Sequence, residues 1–206
     1  DSIGEYPDVV IGCAGGGSNL GGLISEYAHD KLTGKGNPRL LAIEPASCPS
    51  FTRGAYAYDF ADTGRITPLC KMHTVGSQFI PSADHAGGLR YHGMSPILSQ
   101  LYHEEILEAQ AVKQKDAFEA AILFAKNETI LPAPESAHAI LGAINEAKKC
   151  KESGEKKTIL FGLTGTGYFD MTAYEAYLNG KMVDSTISEE SLQQSLAQLP
   201  QIPESE

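Results

Sequence analysis

The sequence has few of the features that would tie a chain to metals, membranes or nucleic acid. Its four cysteines, Cys13, Cys48, Cys70 and Cys150, are scattered without a C-x-x-C pair. That argues against a zinc site or a disulfide framework and for reduced, mostly structural thiols in a cytoplasmic protein. His73, His85, His92 and His103 also lack a metal-ligand spacing, so no transition metal is expected. No apolar run reaches the length of a membrane span, and residues 1–7 do not have the form of a signal peptide. Basic residues are scarce, with 16 Lys and Arg against 26 Asp and Glu, a formal charge of −10. Without a basic stripe, nucleic acid is not an expected partner.

At 206 residues the chain can bury a substantial core, and its 21 glycines and 11 prolines suit an α/β protein with long ligand loops. The stretch that organises it is Asp8–Gly22, DVVIGCAGGGSNLGG. An apolar run, Val9-Val10-Ile11, leads into Gly15-Gly16-Gly17, then Ser18-Asn19, then Leu20, Leu23, Ile24 and Tyr27 at helical spacing. This is strand, glycine turn, helix. Such a turn aims successive N–H groups at one anion, and the helix N-terminus adds its own donors and dipole. The dinucleotide pattern fails because Leu20 stands where its third glycine belongs, and no Gly-Lys-Ser/Thr follows to make a P-loop. A phosphate cradle and a purely structural tight turn both remain open from the residues themselves.

Further along, Arg39–Pro45 reads as a second strand, so strand, helix and strand form a right-handed βαβ unit. From Ala46 to about Met94 the periodicity vanishes, leaving either a functional loop region or a set of short elements. Within it Ser82–Pro96, SADHAGGLRYHGMSP, carries Arg90, Tyr91 and His92, residues of exposed type suited to charged or planar ligands, or simply a solvated loop. Helices are expected over Ile97 to about His103, Lys115 to about Asn127 and Glu135 to about Lys149. The last of these has Ala139, Leu141, Ile144 and Ala147 available for burial. Ile106–Val112 and Thr158–Leu163 read as strands, the second buried, with Thr164-Gly165-Thr166-Gly167 as a second glycine turn. Asp170 leads into a helix to about Leu178. Residues 1–180 then form the main α/β domain, an open and mainly parallel sheet with helices on both faces. Residues 181–206 form a peripheral helix, around Ser188 to Leu199, and a loose tail.

Three segments together are more specific than any glycine turn. GGGSN at Gly15–Asn19, PAPESAHA at Pro132–Ala139 and LTGTGYFD at Leu163–Asp170 resemble, in order and spacing, motifs of the tryptophan synthase beta chain. AGGLRYHGMSP at Ala86–Pro96 is similar to its second, beta-like branch. The resemblance covers about residues 4–200 and implies the larger cofactor domain of a fold-type II pyridoxal phosphate enzyme, a lyase of tryptophan biosynthesis. It implies that Gly15, Gly16, Gly17, Ser18 and Asn19 bind the phosphate of pyridoxal 5'-phosphate. Glu135 would lie beside the cofactor ring as a catalytic group, and Thr164 would face the pyridine nitrogen in place of the family's usual serine. Thr166 and Tyr168 replace the arginine and aspartate that follow that serine. Arg90 and His92 are candidate substrate contacts.

The same residues have plainer readings. Glu135 could merely charge a helix N-terminus, Thr164 could be a turn hydroxyl, and Ser18 and Asn19 could cap a helix. In the family the Schiff-base lysine lies N-terminal to the glycine loop, so Asp1–Pro7 reads as the cut end of a longer chain. Of the lysines present, Lys71 has the most apolar neighbours. The expected partner is the missing N-terminal half of the same enzyme, and the intact protein, a homodimer, would join indole to L-serine or an activated serine. An alpha chain is left open. A serine or threonine dehydratase, or a binding module without catalysis, are the alternatives.

Overall fold

Val9-Val10-Ile11 and Leu40-Leu41-Ala42-Ile43 are apolar at every position, a pattern satisfied only by strands covered on both faces. The computed structural model, which describes residues 4–202, arranges them in that way. β1 (Val9–Cys13) pairs in parallel with β2 (Arg39–Pro45), joined by α1 (Ser18–Thr33). A hairpin of β3 (Ala55–Phe60) and β4 (Leu69–Thr74) forms a separate antiparallel pair. After α2 (Pro96–His103) comes β5 (Leu107–Val112), which pairs in parallel with β2. Then α3 (Gln114–Glu128) and α4 (Pro134–Ser153) lead to β6 (Ile159–Phe161), parallel to β1. α5 (Met171–Leu178) and α6 (Glu189–Leu196) complete the order. The main sheet runs β5-β2-β1-β6.

Alternation along the strands divides the core. Val10, Leu40, Ala42 and Leu107 pack with Leu20 and Ile24 of α1 and Leu98 of α2. Val9, Ile11, Leu41 and Ile43 face the other way, onto Ala139 of α4. Helices therefore cover both faces of an open parallel sheet. Arg39 ties the layers, with its guanidinium on Glu108 of β5 at 2.7 Å and on the buried Glu146 of α4 at 2.7 Å. Strand order reverses between β1 and β6, which is where open α/β sheets leave a crevice at their carboxyl ends.

Two expectations are corrected. Thr158–Leu163 was expected to be a buried strand, but only Ile159–Phe161 pairs, and those residues are half-buried because β6 is the sheet edge with a partner on one side alone. Ala147 of α4 is exposed, and it is Ala137, Ala139, Ile140 and Gly142 that face the core. Of the two alternatives for Ala46 to Met94, the structure shows the set of short elements, with the β3/β4 hairpin and the 3₁₀ turn Gly87–Leu89. α6 sits within the segment expected to be helical, with Leu192 sharing a small core with Cys48, Val75 and Ile187. Residues 203–206 of the expected tail, and Asp1–Ile3 of the expected cut end, lie outside the described residues. No helix among the described residues is long and apolar enough to cross a membrane.

The hairpin also holds an acid-sensitive group. His73 of β4 is buried between Tyr56, stacked at 4.9 Å, and Tyr102, edge-on at 4.9 Å, and neither ring nitrogen has a hydrogen-bond partner. Burial, with His103 nearby, pulls its pKa from 6.5 down to about 4. The unfolded chain therefore binds a proton below about pH 6.5 that the folded chain refuses until about pH 4, so this group costs stability as pH falls through that window. His73→Phe keeps the packing and removes the proton site. The variant is expected to lose about 1–2 kcal/mol less than the parent between pH 7 and pH 5, read from urea midpoints at both values. Buried Glu44, raised to about 7, acts in the opposite sense in both proteins and cancels from the comparison.

Candidate functional site

At the end of β1 the Ala14 N–H donates to Ile43 O at 2.8 Å, the last backbone bond before the glycines. Among the described residues, no protein group accepts from the N–H of Gly15, Gly16 or Gly17. Gly17 has φ +97°, a left-handed conformation that glycine adopts without strain, and it stands at the N-cap of α1 with no side-chain cap. The helix starts at Ser18, two residues before the periodicity predicts. Ser18 and Asn19 are exposed and make no intramolecular side-chain bond among the described residues, so they do not serve as helix caps. Unpaired loop amides continue into the unpaired first-turn amides of a helix, which makes a nest for an anion.

The loop after the hairpin closes over this nest from one side. A Cβ at Gly15 would lie 2.6 Å from Leu89 Cα and 2.8 Å from Gly88 O, so only glycine fits beneath the 3₁₀ turn Gly87–Leu89. The Tyr91 ring lies against Gly16, and Ser95 N–H donates to Gly16 O at 2.9 Å. Motifs some seventy residues apart in the sequence are thus in backbone contact.

The second glycine turn is held against the start of α4. Pro132 and Thr166 form an isolated bridge, and Ser136 in the first turn of α4 accepts from Thr164 N–H at 2.9 Å while its hydroxyl donates to Thr164 O. Ser136 therefore holds Thr164 in place. Glu135, beside it, accepts from Gly88 N–H at 2.8 Å through Oε1 and ties α4 to the covering loop. Burial pushes the Cys13 thiol, at the end of β1, up to about 11. The Glu135 charge adds to this, and a hydrogen bond with Thr164 works against it. Burial, reinforced by Glu135 and opposed by His85, also raises the Asp170 carboxyl. The glycine nest, Glu135 and Thr164 thus meet at the carboxyl ends of β1 and β6.

The structure does not bring every candidate there. Arg90 is exposed, its guanidinium reaching back to Ser82 O at 3.3 Å. His92 is 5% exposed, and its Nε2 donates to Phe60 O at 2.8 Å. The expectation of an exposed, substrate-facing His92 is therefore corrected: its ring is occupied by the hairpin. Lys71 is exposed, with its ammonium 4.7 Å from the centre of the Tyr56 ring on the hairpin. Sequence reasoning missed Ser136, although it lies inside a motif that it singled out; Tyr91, read there as a group for charged or planar ligands, lies instead against Gly16. A hollow of about 800 Å³ lies elsewhere, between α3, α4 and α5, lined by Ile122, Leu141 and Tyr177.

Comparison with known proteins places this geometry. The chain is 56% identical over 182 residues to tryptophan synthase beta chain 2 of Methanosarcina mazei, covering 88% of this chain and 41% of that protein. It is 58% identical over 172 residues to tryptophan synthase beta chain 2 of Thermotoga maritima, covering 84% of this chain and 40% of the relative. The chain thus spans less than half the length of these relatives. A fungal L-serine ammonia-lyase from Rhizomucor miehei shares the fold, with a TM-score of 0.58 at 17% identity over 88% of this chain and 52% of that one. The family described as pyridoxal-phosphate dependent enzyme matches residues 1–165. On that match, which takes in the glycine nest, Glu135 and Thr164, the chain belongs to the pyridoxal-phosphate dependent enzymes.

Proposed function

We propose that this chain is the phosphate-binding part of a tryptophan synthase beta-type lyase that joins indole to L-serine, or an activated serine, to give L-tryptophan. The observation that carries the reading is the nest of unpaired amides at Gly15–Gly17 at the end of β1, with Glu135 bonded to the loop that covers it and Thr164 and Glu135 both acting on Cys13. The nest fits the phosphate of pyridoxal 5'-phosphate in its donors: among the described residues nothing accepts from the amides of Gly15, Gly16 and Gly17, and the exposed Ser18 and Asn19 side chains make no bond. When bound, that cofactor supplies an electron sink for the carbanion left when an amino acid loses its α-proton.

The residues of this chain hold and tune the ring. Gly15, Gly16, Gly17, Ser18 and Asn19 bind the phosphate. Thr164 offers a hydroxyl to the ring nitrogen, and a hydroxyl, unlike a carboxylate, does not favour its protonation. One oxygen of Glu135 is engaged by Gly88 N–H, leaving the other to accept a proton or to orient a positively charged group on the substrate. Arg90, whose guanidinium rests on Ser82 O in this structure, would have to leave that contact to meet the carboxylate or leaving group of the amino acid. The Schiff-base lysine and the indole site belong to the remainder of the intact enzyme, a homodimer, which covers the crevice. Tyr168 and Phe169 are 72% and 90% exposed beside the second glycine turn, apolar surface suited to that cover.

Supplying the full-length protein with serine, with and without indole, tests the reading. Tryptophan formation that requires indole supports it. Pyruvate and ammonia at the same rate with or without indole would assign the chain to a dehydratase instead.

A further inference from the structure

The β3/β4 hairpin stands outside the main sheet, yet it contains a fully buried carboxylate, Asp59 at 0% exposure, that the site described above does not use. Burying a carboxylate is costly unless donors surround it. Asp59 has two close ones: Thr74 Oγ1–H at 2.7 Å and Phe60 N–H at 2.8 Å. His92 Nε2, which donates to Phe60 O at 2.8 Å, lies 4.0 Å from the Asp59 carboxylate. Thr74 Oγ1 accepts in turn from Gly76 N–H at 2.9 Å.

These bonds fasten the segment His92–Met94 along β4 like a third strand. Val75 N–H donates to His92 O at 2.8 Å, Thr74 bridges Gly93, and Met94 N–H donates to His73 O at 2.9 Å. The segment leads straight to the glycine nest. Ser95 N–H holds Gly16 O at 2.9 Å, while Met94 and Leu98 fill the space where a Gly17 Cβ would lie, at 2.7 and 2.8 Å. On the near side, the Tyr91 hydroxyl donates to Ala61 O just past β3, and the Tyr91 ring braces Gly16.

A run of three glycines has more backbone freedom to lose than any other tripeptide, so amides aimed at one anion need an outside brace to stay aimed. We infer that the hairpin is that brace: Asp59, through Thr74 and His92, is a positioning residue that sets the anion affinity of the Gly15–Asn19 nest without touching the ligand. His92 thereby has a role inside the protein in place of the substrate contact expected from its motif. The inference rests on reading the nest as a phosphate site.

The test uses the 206-residue chain and its Asp59→Asn and Thr74→Val variants, with Tyr58→Phe on the exposed side of the hairpin as a control. Amide hydrogen exchange is read at Met94 and Ser95, which bond His73 O and Gly16 O, and, for global stability, at Leu40–Ile43. Dissociation constants are measured for inorganic phosphate and for pyridoxal 5'-phosphate. Asp59→Asn and Thr74→Val are expected to speed exchange at Met94 and Ser95, whose N–H groups hold His73 O and Gly16 O, tenfold or more relative to Leu40–Ile43, and to weaken both ligands by a common factor of about ten. Exchange and affinity at parental values in a folded Asp59→Asn chain would overturn the inference, as would equal acceleration in both regions. If Asp59→Asn does not fold, Tyr91→Phe, which removes one hydroxyl at the partly exposed end of the brace, must still speed exchange selectively at Met94 and Ser95, and parental exchange there overturns the inference. A parent chain that binds neither ligand would defeat the phosphate reading, and the exchange arm would still decide the brace.

Discussion

Gly15→Ala is expected to weaken pyridoxal 5'-phosphate binding at least a hundredfold. The added Cβ would meet Leu89 Cα at 2.6 Å and Gly88 O at 2.8 Å, and both are backbone atoms. A side chain could rotate away, but these can be relieved only by moving the 3₁₀ turn or the nest. Overpacking of this kind costs about 1–3 kcal/mol of stability. The displacement also misaims amides whose bonds to a charged acceptor are worth about 1.5–3 kcal/mol each, and about 2.7 kcal/mol lost corresponds to a hundredfold. Gly22→Ala provides the contrast. It lies in α1 with nothing within 4 Å of a new Cβ, so alanine there should stabilise the chain by about 0.5–1 kcal/mol and leave binding unchanged. Ligand titration and urea denaturation of the two variants check both halves. Equal binding by Gly15→Ala and parent would show that the nest is not the phosphate site.

The second large effect is expected at Glu135. In the full-length protein Glu135→Gln keeps an oxygen that can accept from Gly88 N–H, so the covering loop stays attached while the charge is lost. Turnover should fall about a hundredfold or more, the range seen when a positioned acid or base is removed, with little change in KM. Glu135→Ala loses both functions. It leaves Gly88 N–H without its acceptor and should raise KM as well, as the loop over Gly15 loosens. If the two variants lose turnover equally and neither changes KM, the carboxylate acts through its charge alone and the tie to Gly88 is incidental. If Gln retains full turnover, Glu135 is only the link between α4 and the loop.

These effects rest on a site that was partly legible in the sequence. The parallel strands were readable because double-sided burial leaves no alternation: Val9–Ile11 and Leu40–Ile43 are apolar throughout. The glycine nest was readable because its residues are adjacent and because Gly17 needs a left-handed φ. Glu135 and Thr164 were readable through the resemblance of their motifs, and their meeting followed from the reversal of strand order between β1 and β6.

The hairpin was not legible. Ala55–Phe60 and Leu69–Thr74 mix Tyr, Asp, Lys and His with few aliphatics, because the pair is held by aromatic stacking around His73 and by the Asp59 network rather than by an apolar face. His92 failed for the same reason: its type is usually exposed, and nothing local shows that Phe60 O waits thirty-two residues upstream. Glu44 belongs to the strand read over Arg39–Pro45, with nothing local to mark its carboxylate. It is in fact fully buried, accepting from Phe51 N–H and Thr52 N–H at 2.9 Å each and from Thr52 Oγ1–H at 2.6 Å, which closes the turn between β2 and the hairpin. Each of these groups is fixed by a partner in a region without hydrophobic period, where pattern carries no information.

The account is tested most directly by following the backbone amide resonances of the chain while inorganic phosphate, and then pyridoxal 5'-phosphate, is added. Saturable shifts centred on Gly15, Gly16, Gly17, Ser18 and Asn19, produced by both ligands and lost in Gly15→Ala, are the predicted result. Shifts that fall elsewhere, or that persist undiminished in Gly15→Ala, would contradict the claim that this glycine nest is an anion cradle.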